Sequence, residues 1–121
     1  MDLEQKKAVM LLKSLVFHYH GLDAEETQLL EDAAKKYDAK EQLNWSNDFL
    51  AEDYLSAFER SRDFLSKVFL KLDKQERLHQ LTEVWEENYV KGYVTEMETS
   101  AMIHLSQDWK IQKEFLQHIN H

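Results

Sequence analysis

The chain has no cysteine, no proline and only two glycines in 121 residues. Without cysteine there is no disulfide framework, no thiolate metal site and no Cys nucleophile. Average usage would supply about eight glycines and about six prolines. So few turn formers argue against a hairpin-rich all-β fold, which needs them at each strand connection. Gly21 and Gly92 lie 71 positions apart, which excludes a Rossmann glycine fingerprint and a P-loop. Long apolar runs are also missing. Ala8–Leu12 stops at Lys13, far short of a membrane span. Asp2 and Glu4 stand where an export signal wants a basic region, so a cytoplasmic protein is expected.

What is present is acid, aliphatic and aromatic. Twenty-three Asp and Glu face 15 Lys and Arg, leaving a formal charge of −8. Nucleic-acid binding draws on Lys and Arg, so this balance speaks against it and a protein partner is expected instead. Hydrophobic residues at 43% and charged residues at 31% fit one globular domain. Six Phe, five Tyr and three Trp give its core bulk.

Helical periodicity runs through most of the text. A first helix is expected from about Leu3 to His20, with Ala8, Leu12, Leu15, Val16 and Tyr19 on one stripe. Met10, Leu11 and Phe17 widen that stripe until the helix should be well buried. Gly21 suits a left-handed cap. Asp23 suits an N-cap with Glu26 three residues on, and Leu29, Leu30, Ala33, Ala34 and Tyr37 follow. Asp38–Asn47 is polar and carries no clear period, Lys40–Leu43 could form a short turn of helix, and Trp45, in this connector, should plug the core from a loop. Phe49–Leu72 reads as a long helix that bends or breaks, best before Asp53, with Tyr54, Phe58, Ser61, Leu65, Val68, Phe69 and Leu72 inside. Asp73 caps the next helix, whose stripe is Leu78, Leu81, Val84, Trp85, Asn88 and Tyr89, and Gly92 closes it. Thr95 caps another helix with Glu98 as its box partner and Met97, Ala101, Met102 and Leu105 inside. Ser106 or Asp108 should open a last helix that carries Trp109, Ile111, Phe115, Leu116 and Ile119. The expected fold is therefore all-α, a single bundle of six or seven helices over residues 1–121.

Both glycines sit in the same setting: a long helix, a Tyr near its end, Gly, a capping residue and a capping Glu. The second passage is one residue longer between Gly and cap. Two such helix–Gly–helix units suggest a pseudo-twofold repeat. In the second, Gly92, Val94, Thr95, Glu96 and Glu98, followed by Ala101, Ile103 and Leu105, resemble the signature of the tellurite-resistance TerB-like domains. Phe64–Leu72 with Asp73 fits as well, so the resemblance is best over Phe64–Leu116 and looser in the first third. It implies an all-α bundle and a non-enzymatic role in a stress response, with an acidic surface open to a cation or a partner. Two departures stand out. The family's acid before Gly is His20 in the first passage and Lys91 in the second, and a lysine ammonium repels a cation.

Glu25, Glu26, Glu96 and Glu98 open two helices, where the dipole favours acids. If the two turns met, these four could collect a hard divalent cation such as Ca²⁺ or Mg²⁺. No other cofactor is implied. Glu76 and His79 show the Glu-x-x-His spacing once, whereas a ferritin-like di-iron centre needs it twice, so Glu76 reads as a cap and His79 as a surface residue. Glu114 and His118 are spaced to pair across one turn. No His-Glu-x-x-His and no Gly-x-Ser-x-Gly occurs, so neither a zincin nor a nucleophile elbow is present.

The preferred expectation is a non-catalytic interaction or sensing module, docking through the acidic turns around Gly21 and Gly92 and tuned by a cation. One alternative is a small-molecule carrier or enzyme with a pocket between helices, holding His18, Tyr19 or Tyr89. A second is a structural subunit that forms homo-oligomers through its aromatic face.

Overall fold

A computed structural model describes residues 1–18, 23–89 and 92–120. Among the described residues seven helices follow one another: α1 Leu3–Phe17, α2 Ala24–Lys36, α3 Lys40–Ala51, α4 Ala57–Phe69, α5 Lys74–Asn88, α6 Glu96–Asp108 and α7 Gln112–Ile119. There is no strand among the described residues. The expected all-α bundle is the fold observed.

Helix α1 is its centre. Residues 8–17 are all buried, as a helix enclosed on every side must be, and α1 packs against α2, α3, α4, α5 and α6. Around it, Trp109 stacks on Phe69 with ring centroids 4.2 Å apart, and Trp85 meets Phe115 edge-on at 5.9 Å. Arg77 ties the α4–α5 turn to the end of α6. Its Nε donates to the carbonyls of Phe69 and Leu72, and its Nη1 to that of Trp109.

The repeat is longer than the glycines suggest. Asp23 caps α2 and Thr95, 72 positions on, caps α6. The same offset links the third helical residues Glu26 and Glu98, both buried. It also links Asp38 and Lys110, which hold positive φ of 51° and 59°. After each, the chain closes its helix with a 6→1 bond, Ala39 N–H to Ala34 O at 2.7 Å and Ile111 N–H to Ser106 O at 2.9 Å. Buried Ala39 and Ile111 then lead directly into α3 and α7. The unit is three helices, and α4 joins its two copies. The ends that glycine usually supplies are made here by an Asp, which tolerates the left-handed region, and by a Lys set between the buried Trp109 and Ile111. Gly92 adopts φ +91°, as expected of a helix-closing glycine. The cap expected at Gly21, with Tyr19, His20 and Lys91, lies outside the described residues.

Several expectations need correction. Asp38–Asn47 is not a connector. It begins the full helix α3, and Trp45 sits within that helix, wedged between Phe49 and Phe64 at 5.1 Å from each ring. The 38–39 turn redirects the chain without glycine, so nothing in the composition marked a helix start there. The expected break falls at residues 52–56, and Tyr54 lies on that exposed connector instead of inside. Met97 is also exposed, because Glu98 takes the inward position beside it. Trp109 closes α6 instead of opening α7, since Lys110 makes the turn. Tyr89 is half exposed at the end of α5.

Candidate functional site

The four acids first considered for a cation separate into two kinds. Glu25 and Glu96 are exposed, whereas Glu26 and Glu98 are 2% and 0% exposed. The Glu98 carboxylate is engaged in a capping box, accepting from Thr95 N–H at 2.9 Å and from its hydroxyl at 2.6 Å. Among the described residues no three His, Asp or Glu side chains gather as a metal set, so the structure does not bring these four together. Glu76 offers its N–H to Asp73, while its side chain accepts from Gln80. His79 is exposed and lies 3.3 Å from Glu83. Glu114 and His118 do not pair with each other. Glu114 meets Lys74 on α5, and His118 Nε2 lies 2.7 Å from Glu86, because α7 packs across α5 and offers nearer partners than its own next turn.

Opposite charges meet inside the molecule between α1 and α5. Lys13 on α1 is 1% exposed, and its ammonium donates to Glu83 at 2.9 Å and to Glu87, both on α5. Burial pushes the Glu83 carboxyl up, but the hydrogen bond and charge of Lys13 outweigh it, so the group lies below its ordinary value. This buried ion cluster is a seam that fixes α1 against α5. A charge with two partners that fully engage it has little left to offer a ligand.

Elsewhere the opposite holds. The 52–56 connector carries Leu55 at 99% exposure and Tyr54 at 69%. An Asx turn presents them: the Asp53 carboxylate accepts from Leu55 N–H at 3.0 Å. Below lies a hollow of about 230 Å³ formed by Leu15, His18, Leu50, Tyr54, Ala57 and Phe58. Burial lowers the pKa of His18, which favours its neutral ring. The Phe58 ring stands 6.3 Å from that of His104 on α6. Across that ring pair is a second hollow of about 320 Å³, formed by Val94, Ile103 and His104 with Glu96, Thr99 and Ser100. Through this ring pair the two hollows adjoin, as a groove that touches α1, α3, α4 and α6.

The rim of this groove is acidic. Glu96 lines the second hollow, and Glu52, Asp53 and Glu59, next to Tyr54 and Phe58 in the chain, are exposed as well. Hydrogen bonds from Ser56 and the Leu55 amide hold the Asp53 carboxyl below its usual value, so it stays ionised. The local cations are already engaged. Arg60 donates to the carbonyls of Phe49 and Asp53 and lies 3.6 Å from Glu52, and Arg62 makes a two-bond pair with Asp108 and donates to Glu59 at 3.2 Å. A larger groove of about 570 Å³ lies between α2 and α3. Its floor is Leu30, Ala34 and Leu43, and its rim carries both signs, with Glu31 and Asp38 against Lys35 and Lys40.

Sequence reasoning placed Tyr54 and Phe58 inside and passed over Leu55. The signal was Asp53, a turn former set just before two large apolar residues that the helix could no longer bury. Comparison with known proteins gave no matching family model, no matching curated protein and no matching solved structure.

Proposed function

We propose that this chain is a non-catalytic interaction module that docks a protein segment in the groove between Tyr54 and Ile103. The observation that carries this reading is the pairing of exposed Tyr54 and Leu55 with the hollow beside them. Large apolar side chains held out by a hydrogen-bonded turn cost solvation, and such patches mark contact surfaces. The stress-response setting comes with the TerB-like resemblance of Gly92–Glu98 and rests on it. Tuning by a cation has less support, since Glu98 already serves Thr95.

The test is selection of binding peptides from a displayed random library against the intact chain, counter-screened with a Tyr54→Ser/Leu55→Ser variant. Binders that lose the variant support the reading. An absence of binders, or binders indifferent to the variant, contradicts it. The 570 Å³ groove between α2 and α3 has the size of a small-molecule site and favours a carrier as the second reading. Binders blocked by Ala34→Trp and not by the Tyr54/Leu55 variant would shift preference to it.

A further inference from the structure

The groove's chemistry narrows its partner, on the premise that the interaction reading holds. We infer that the occupant is a basic amphipathic helix that seats one bulky apolar side chain in each hollow. Three observations lead there. First, each hollow is side-chain sized, about 230 and 320 Å³, and the two flank one ring pair 6.3 Å across. A helix laid across that ring pair could set one apolar side chain in each hollow, which is how helices fill grooves.

Second, the rim asks for positive charge. Glu52 and Glu59 keep 72% and 73% of their side-chain surface exposed even beside Arg60 and Arg62. Asp53 and Glu96 also face solvent. Lysines or arginines on the polar face of a docked helix would meet these carboxylates, and complementary rims of this kind raise association rates and select partners. Third, the same rim disfavours a second copy of this chain. A two-fold contact at this face would set acidic rim against acidic rim, between molecules that each carry −8. An acidic or neutral helix would fill the hollows without answering the rim.

The experiment uses the full chain and a fluorescent helical peptide of about five turns, with two Leu anchors one turn apart and Lys on the other face. Three companions replace Lys by Glu, Lys by Gln, or both anchors by Ser. Anisotropy titrations are run at low and high salt, with circular dichroism confirming that each protein variant is folded. The Lys peptide should bind at least about tenfold more tightly than the Glu or Ser versions, because anchors and rim act together. Its affinity should fall several-fold at high salt, with Glu52→Gln/Glu59→Gln, and with Tyr54→Ser/Leu55→Ser. If the Glu or Gln peptide binds as tightly and still depends on Tyr54 and Leu55, the basic partner is wrong while the docking groove stands. If no peptide depends on Tyr54 and Leu55, the groove reading fails with it.

Discussion

The α1–α5 seam and the groove across α3, α4 and α6 hold similar side chains and treat them oppositely. At the seam, a lysine is taken fully out of water and two glutamates close on it. At the groove, carboxylates stay in water and a leucine stands out in full exposure. The seam satisfies itself, and its charges serve the fold. The groove leaves apolar surface in water, beside carboxylates that stay largely exposed even where an arginine pairs with them. That contrast separates structure from function here better than residue type does, because both regions are rich in Glu.

Substitutions can break or sharpen the contrast. The largest effect belongs to the seam. Lys13→Ala leaves Glu83 and Glu87 facing each other without their cation, and removing one member of a buried pair costs about 3–5 kcal/mol. Both glutamates keep some solvent access, so about 2–3 kcal/mol is expected, read as a lower urea midpoint at constant slope. Adding Glu83→Gln and Glu87→Gln should recover much of it. Additive losses would show that the three residues do not act as one cluster.

Next comes the cap that closes the repeat. Glu98→Ala removes the acceptor of two Thr95 bonds at a fully buried position and should cost about 1–2 kcal/mol. Glu98→Gln keeps an acceptor there and should cost less. Equal losses would mean that charge, and not the cap, is what this position supplies.

Acid should then distinguish the two regions in order. His18 at the groove has a folded pKa below its ordinary 6.5. The unfolded chain therefore takes up that proton first, and stability falls as pH drops from about this value. Glu83 at the seam has a folded pKa below its ordinary 4.5. Its contribution is complete above that value and is lost as pH falls through the folded one. Urea melts across pH should show the His18 loss first, and His18→Leu should remove it while leaving the later one. A single loss below pH 4.5 in both proteins would contradict the assignment.

The smallest effect is expected at the exposed apolar pair. Tyr54→Ser/Leu55→Ser should change stability by less than about 0.5 kcal/mol, as surface substitutions do. A loss of several kcal/mol would mean that these residues hold the fold together and are not a free docking surface.

Much of the fold was legible because helix caps are written locally. Asp23, Asp73 and Thr95 each sit three residues before a Glu, and each caps a helix as read. Helix α3 was missed because its start depends on a left-handed Asp38 and a buried Ala39, which become visible only beside their equivalents Lys110 and Ile111. The groove was less legible still. Periodicity could assign Tyr54 to an inner face only while the helix was taken to continue, and the 52–56 connector ends it. The two hollows together draw on four helices, so no short spacing announces them. Lys13 was read only as the end of an apolar run, since its two partners stand 70 and 74 residues away.

The most direct test is to map amide chemical shifts of the isotopically labelled chain while the Lys-rich two-anchor peptide is added. The account predicts shifts gathered at residues 50–58 and 94–104, with the seam around Glu83 and Glu87 unmoved. Shifts gathered on the α2–α3 groove or along the seam, or none at saturating peptide, would contradict it.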